Sequence, residues 1–415
     1  MKNVRNFTLS PDSTVFFATF SLWSNGKRMP TNGSVEPLRD FLLPRVKKLV
    51  LLDQLVPGEE DISYKIEEYN DGNKKYISHK MGWWYGILSP FLRLTNSNAT
   101  QVPFKIRDFL SVIDWAFRDS TRFDYFIGLE SVNAIAGILL RFIGRVKTVV
   151  YYVSDYSPNR YANKLFNRVY LVLDRFAAMH SDYIWDVSKA MQPARISAGL
   201  NAVRSAPVIH VPNGLLATQI QSLKITKIKK HALVYMGTLG EENGPDLIIR
   251  AMQKIRKAIP TATLRIIGGG ERLPVLQSLV AELHLEKNIK FYGYVPDGAK
   301  MASLLRECAL GVAPYRSFPG SIRFYADAGK IRAYCAAGLP VISSKVPPLG
   351  KEVAEYGGAL VVNDTIREFS NAVISLLSDR KRYIQMRSRA YDYAKNATWE
   401  RTFANAFFIM SNYAA

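Results

Sequence analysis

The chain has 415 residues, 48% of them hydrophobic and 22% charged. That composition excludes a disordered, collagen-like or coiled-coil chain and, at roughly 150 residues per domain, gives two domains each able to bury its own core. Its 55 Lys and Arg against 35 Asp and Glu leave a formal charge of +20, so an anionic partner is expected: a phosphorylated small molecule, a lipid headgroup surface or nucleic acid.

From the N-terminus, the opening residues carry charges and lack the apolar segment and cleavage site of a secretory leader. No run of about 18 uncharged apolar residues follows, residues 132–143 being broken by Arg141. Neither a secreted nor a membrane-spanning protein is expected. Residues 15–20, 49–52, 125–129 and 148–153 read as strands, and 106–117, 134–144 and 164–179 as helices. WSNGKR at 23–28 sets Gly26 in a loop where a ligand can approach the backbone closely. Short strands at 182–186 and 208–211 lead into the turn PNG at 212–214. The basic stretch that ends in KITKIKK makes 218–231 an inter-domain linker between an N-terminal α/β domain, 1–217, and a C-terminal one, 232–395.

The second half alternates more regularly. Strands are expected at 233–237, 262–268, 289–295, 309–315 and 339–343, with helices at 245–258, 273–283, 300–307 and 325–336. Strands spaced by helices of this length predict parallel sheets covered on both faces, with the ligand crevice at the strands' carboxyl ends. The fold class is α/β, two doubly wound Rossmann-like domains facing across a cleft. The aromatic segment 396–415 reads as a closing helix packing back toward the N-terminal domain. Cys308 and Cys335 fall in apolar helical stretches, where buried thiols rather than a bridge are expected, in keeping with a reducing compartment.

Several segments carry candidate chemistry. GGGE, comprising Gly268, Gly269, Gly270 and Glu271, follows a strand and precedes a helix, which suits either phosphate contact or a plain tight turn. Gly237 and Thr238 stand at the end of the 233–237 strand. Residues 317–343 place Ser321, Arg323 and Lys330 after another strand, where the two cations either hold a diphosphate by charge-assisted bonds or are solvated. Asp155 and Glu130 each follow a strand, as a hydroxyl-binding carboxylate or as a cap. His210, before the PNG turn, reads as a core histidine or, second to that, as a cleft residue. Five histidines and two cysteines in no paired spacing give no metal site. Neither a GxSxG elbow nor a Walker A sequence is present, and the sequence carries no zinc-finger spacing or RNA-binding signature.

The ordered series YMGTLGEENGPDLIIRAM (235–252), LRIIGGGE (264–271), IKFYGYVP (289–296), LLRECALGVAPY (304–315) and KIRAYCAAGLPVI (330–342) resembles the nucleotide-sugar-binding domain of retaining, GT-B-fold glycosyltransferases of the large family four group. WSNGKR (23–28), YYVSDYSPNRY (151–161), SDYIWDVSKAM (181–191) and VPNG (211–214) resemble bacterial polysaccharide or cell-surface members. The resemblance implies transfer of a hexose, with retained anomeric configuration, from a nucleotide diphosphate sugar to a glycan, lipid-linked or other hydroxyl acceptor. It implies no cofactor and no obligatory metal. The family's diphosphate-gripping Arg and Lys correspond here to Thr238 and Asn243, and its pair of glutamates to Tyr325 and Ala333, while some relatives carry a Lys at the position of Lys330.

On this resemblance Arg323 and Lys330 stabilise the leaving diphosphate, and Gly237, Thr238, Gly268, Gly269, Gly270 and Ser321 contact the donor. Gly26 permits its close approach, and Asp155 or Glu130 orients sugar or acceptor hydroxyls. A cytoplasmic protein, peripheral at the inner face of the cell membrane and drawn there by its charge, is expected; a nucleic-acid partner is not. A non-catalytic nucleotide- or glycan-binding subunit and a nucleotide-sugar epimerase remain the other readings.

Overall fold

The computed structural model describes residues 9–24, 27–29, 33–56, 64–78, 83–94 and 102–413. They divide into two compact units, Met1–Pro212 with Thr402–Ala415, and Asn213–Arg401.

The first unit runs β1 (Thr14–Ser24), β2 (Lys27–Met29), α1 (Val35–Leu42), β3 (Lys48–Leu55), β4 (Lys65–Asn70), β5 (Asn73–Ser78), α2 (Trp84–Leu94) and α3 (Val102–Arg118). It continues with β6 (Phe123–Leu129), α4 (Glu130–Phe142), β7 (Val146–Val153), α5 (Lys164–His180), β8 (Tyr183–Asp186), α6 (Met191–Ser197) and β9 (Val208–His210). The sheet order is β5-β4-β3-β1-β6-β7-β8-β9, with β2 paired to β1. β3, β1 and β6 to β9 are parallel, whereas β4 and β5 form an antiparallel edge hairpin. Its two-residue turn takes positive φ at both Asp71 (46°) and Gly72 (80°), the Asp-Gly pairing that suits the twist of a hairpin. Phe16, Val50, Phe126 and Val149 pack on one face of the sheet against Val112 and Trp115 of α3 and Leu140 of α4.

The second unit contains β10 (Ala232–Met236), α7 (Pro245–Ala258), β11 (Thr263–Ile267), α8 (Leu273–Glu282), β12 (Ile289–Gly293), α9 (Gly298–Arg306) and β13 (Leu310–Ala313). There follow α10 (Gly329–Ala336), β14 (Val341–Ser344), α11 (Pro348–Glu355), β15 (Ala359–Val362), α12 (Ile366–Ser378) and α13 (Arg380–Asn396). All neighbours in the sheet β12-β11-β10-β13-β14-β15 are parallel. In local numbering this is the 3-2-1-4-5-6 order of a doubly wound sheet, and its switch point lies between β10 and β13. Apolar clusters cover both faces, one around Leu233, Ile248 and Met252, the other around Val234, Ile331 and Cys335. Both cysteines are buried and free. The basic stretch 218–231 lies against this unit: Lys229 N–H donates to the Glu307 carbonyl at 2.8 Å, and Arg387 donates to the Leu223 carbonyl at 2.9 Å.

One helix starts later than the periodicity predicts. Residues 325–336 read as helical, but α10 begins at Gly329, because Asp327 is pulled aside. Its carboxylate accepts the Asn213 N–H at 2.8 Å and pairs with Arg332 at 3.1 Å. A 3₁₀ turn, Ile322–Phe324, occupies the preceding segment and is capped by Ser321, whose Oγ accepts the Arg323 N–H.

A final helix, α14 (Trp399–Tyr413), carries the chain into the first unit from Thr402 onward. There Phe407 stacks on Phe41 with ring centres 5.7 Å apart and meets Trp185 edge-on at 5.2 Å. Nearby, fully buried Arg195 contacts the Asp186 carboxylate at 2.6 Å and that of Asp174 at 3.1 Å, and Tyr151 donates to Asp174 at 2.7 Å. Removing the cation leaves two carboxylates buried without their partner. Arg195→Ala should destabilise the first unit by about 3–5 kcal/mol in urea unfolding, as breaking a buried ion pair does; a loss below about 1 kcal/mol would contradict this.

Candidate functional site

The carboxyl ends of β10 and β13 flank the switch point of the second sheet, and the loops that leave them are shaped by glycine. Gly237, directly after β10, has φ +136°, a region that side-chain-bearing residues rarely adopt. A Cβ there would stand 3.0 Å from the Lys330 Nζ. Gly268, after β11, has φ +141°, and a Cβ there would collide with the Gly237 carbonyl oxygen. The two loops are stitched by backbone bonds: Gly237 N–H donates to Ile267 and Leu239 N–H to Gly269, each at 2.9 Å, while Gly268 N–H donates to Gly293 at 2.8 Å. The amides of Gly237 and Gly268, expected to serve a ligand, are thus spent on the scaffold. No backbone hydrogen bond engages the Thr238, Gly269 or Gly270 amide.

Lys330 sits in the first turn of α10 and is only 9% exposed. Its Nζ lies 4.4 Å from the centre of the Tyr235 ring and 4.5 Å from that of Tyr315. The π faces attract the cation, yet the ammonium has no hydrogen-bond partner. Burial, aided by the nearby Arg323 charge, pushes its pKa down to about 7. Burial also raises the phenols of Tyr235 and Tyr315, the latter to about 12, so both remain neutral at pH 7. Tyr235 donates its hydroxyl to the Thr238 carbonyl at 2.9 Å.

Arg323 completes the positive cluster from the 3₁₀ turn. Its guanidinium is 5.9 Å from the Tyr315 ring centre, and its Nε is 3.9 Å from the Glu242 carboxylate. Buried Ser321 donates to Glu242 at 3.2 Å. Gly237, Ser321, Arg323 and Lys330 therefore converge, with two neutral phenols and one carboxylate, on a spot that offers more positive charge than the protein neutralises. Thr238 and Asn243, which stand where the resembling family carries its basic pair, instead build the turn: the Asn243 side chain donates to the Thr238 carbonyl at 3.0 Å. Ala333 supplies no carboxylate within α10, and Tyr325 follows the 3₁₀ turn.

Asp155 and Glu130 belong to the first unit, where the carboxyl ends of β6 and β7 bring them into one cluster. Glu130 opens α4 with φ +68°, a strained conformation for a residue with a side chain. Its Oε1 accepts from Ser154 at 2.8 Å, and Arg160 reaches the Asp155 carboxylate at 3.1 Å. Burial raises the Glu130 pKa against the opposing pull of Arg160 and Ser154. Gly26 lies outside the described residues. His210 ends β9, half-buried. Among the described residues no group of three or more His, Cys, Asp or Glu is placed to hold a metal ion, and no helix is long and apolar enough to cross a membrane.

The sequence drew attention to the two cations but not to Tyr235 and Tyr315, the aromatic walls between which Lys330 lies. Each occurs in an apolar strand or at its end, where a tyrosine gives no sign of facing a charge. Glu242 and Arg160 were equally silent.

Residues 219–396 match the family model described as Glycosyl transferases group 1. Over 174 residues the chain is 26% identical to the D-inositol 3-phosphate glycosyltransferase of Corynebacterium aurimucosum, a match that covers 40% of this chain and 39% of that relative's length. Among solved structures, Anabaena HepE in complex with UDP superimposes with a TM-score of 0.66 at 17% identity, covering 96% of this chain and 100% of that one. Sucrose-phosphate synthase from Thermosynechococcus elongatus gives 0.68 at 13%, covering 97% and 99%. The likeness to these structures is one of fold, and it gives the class expected from the sequence: an α/β chain of GT-B type with two Rossmann-like sheets.

The lysine's depressed pKa has a consequence for stability. An unfolded chain keeps Lys330 protonated to about pH 10.4, whereas the fold releases the proton near pH 7. Between those values the unfolded state binds more protons, so stability rises with pH. Lys330→Met should raise the melting temperature of the ligand-free protein, most at pH 7 and below and progressively less toward pH 10. Thermal melts across that range check it; a variant less stable than wild type at pH 6.5 would contradict it.

Proposed function

We propose that the protein is a glycosyltransferase that moves a sugar from a nucleotide diphosphate sugar to a hydroxyl acceptor with retention of anomeric configuration. The observation that carries this reading is the buried, unpartnered Lys330 beside Gly237 and Arg323, a site suited to an anion such as a diphosphate. Three further findings support it: the family match spans all of these residues, the HepE structure was solved with UDP, and the curated relative is named a glycosyltransferase.

In the reaction the bond between the anomeric carbon and the diphosphate oxygen breaks as the acceptor oxygen approaches the same face of the sugar. The acceptor's proton passes to the departing phosphate oxygen. Negative charge grows on the diphosphate, and Lys330 and Arg323 stabilise it where it develops, a preorganised electrostatic contribution that needs no metal. The unengaged amides of Thr238, Gly269 and Gly270 add donors to the same anion. Glu130 and Asp155 orient hydroxyls of the sugar or acceptor. A place at the cytoplasmic face of the membrane and a role in making polysaccharide or other surface glycans extend this reading, on the strength of the +20 charge and the resemblance of the first half. The use of Thr238 and Asn243 within a turn favours a second reading, a subunit that binds the nucleotide sugar without transferring it.

Calorimetric titration with UDP, GDP, ADP, CDP and dTDP sugars, followed by product analysis with the preferred donor, tests the proposal. Selective micromolar binding and release of nucleoside diphosphate with a glycosylated product are expected. Lys330→Ala and Arg323→Ala should each slow transfer by about 100-fold or more, the scale of losing a transition-state donor, while the fold persists. Unchanged turnover in both variants, or no binding by folded protein across the panel, would overturn it. Binding without transfer would establish the second reading.

A further inference from the structure

The first unit contains a cavity of about 830 Å³. Its size is that of small-molecule sites, about 300–1,000 Å³, and its walls are sorted by polarity. α5 contributes Phe166, Val169, Tyr170 and Leu173, which share one helical face, and α4 contributes Val132 and Ile135. Apart from the Tyr170 phenol, these aliphatic and phenyl groups offer no hydrogen bond. Glu130 and Arg160 also line the cavity, and they belong to the cluster in which Ser154 donates to Glu130 and Arg160 pairs with Asp155. The other two ionic groups on the lining are Lys105 and Asp108, which pair at 3.9 Å. Ile106 and Val169 line the cavity yet are 45% and 48% exposed, so the apolar lining runs out to the protein surface. α5 continues the apolar surface outward with exposed Leu165 and Val172.

Ser131, Tyr161, Asn163 and Tyr170 add polar groups to the lining, but most of its residues are aliphatic or phenyl and would leave many hydroxyls of a buried saccharide unbonded, which is costly. The charges on the lining are compensated by one another, so the bulk of the occupant is neutral. A hydrocarbon chain satisfies both conditions, and a hydroxyl on its end finds an acceptor in the Glu130 carboxylate. We infer that the acceptor is an amphiphile, whose apolar chain enters past Ile106 of α3 and Val169 of α5 and whose hydroxyl-bearing end meets Glu130. This inference rests on the reading of Glu130 as a group that orients acceptor hydroxyls, and it names the acceptor class that the reading leaves open. The half-exposed apolar mouth is suited to drawing such a chain from a micelle or bilayer.

The test is calorimetric binding of the full chain to n-alkyl β-D-glucosides, from hexyl to decyl, each below its critical micelle concentration. Affinity should rise about two- to fourfold with each methylene, the upper figure corresponding to ~0.8 kcal/mol per buried CH₂. Val169→Trp blocks the mouth and Ile106→Asp makes it polar. Both positions are half-exposed, so melting temperature and UDP binding should persist while the chain-length dependence collapses. Affinity independent of chain length in the wild type, or a dependence that survives in both variants, overturns the inference. UDP binding measured on the same samples separates the two levels: a flat alkyl series with intact UDP binding rejects the amphiphile alone. A steep series without nucleotide binding supports the amphiphile cavity while counting against the transferase reading.

Discussion

An ammonium withdrawn from water without gaining a hydrogen-bond acceptor or a carboxylate costs free energy that the rest of the fold must supply. Lys330 is in that position, and much of the second unit's local geometry follows from it. The aromatic faces of Tyr235 and Tyr315 offset part of the cost, and both phenols stay neutral because ionising them is harder still when buried. Gly237 has no side chain, which leaves room beside Nζ. Asp327 is turned away to Arg332, so the carboxylate nearest in sequence does not quench the charge. What remains is a cation kept close to its neutral form until an anion arrives, an arrangement in which stability is sacrificed at the place where binding needs it.

The first unit treats a buried cation in the opposite way. Arg195 is as deeply buried as Lys330, but Asp174 and Asp186 both pair with it and Tyr151 satisfies Asp174 in turn. That closed arrangement joins α5, α6, β7 and β8. The contrast distinguishes a charge used to hold elements together from one held open for a ligand. Glu130 is intermediate: it has Ser154 as a donor and Arg160 nearby, yet it retains a strained φ and a raised pKa, and it lines a cavity whose other walls are largely apolar.

Five of the six strands of the second sheet were legible because each is a short, mostly apolar run spaced from the next by a helical pattern, and glycine marks the ends of β10 and β11, whereas β15 was not read as a strand. The order of those pieces, more than any one of them, carried the resemblance that led to Arg323 and Lys330. The edge hairpin β4–β5 was missed although Asp71-Gly72 is a strong turn signal, since its flanking residues KIEEYN and NKKYIS are too polar to read as buried strands. α10 was drawn four residues too long because helical periodicity does not report that Asp327 has a tertiary partner. Tyr235, Tyr315 and the apolar cavity escaped notice for one reason: they arise from side chains brought together by the sheet order and by helix packing, at separations along the chain that no local pattern encodes.

The central claim, that a desolvated lysine is the receptor for a diphosphate, is tested most directly by counting protons. UDP titrated calorimetrically near pH 7.5, in buffers of different ionisation enthalpy, measures the protons taken up on binding. Burial pushes the Lys330 pKa down to about 7 in the free protein and an adjacent anion raises it again, so the account predicts net proton uptake in the wild type and its loss in Lys330→Met. Tight UDP binding with the same proton uptake in both proteins would contradict it.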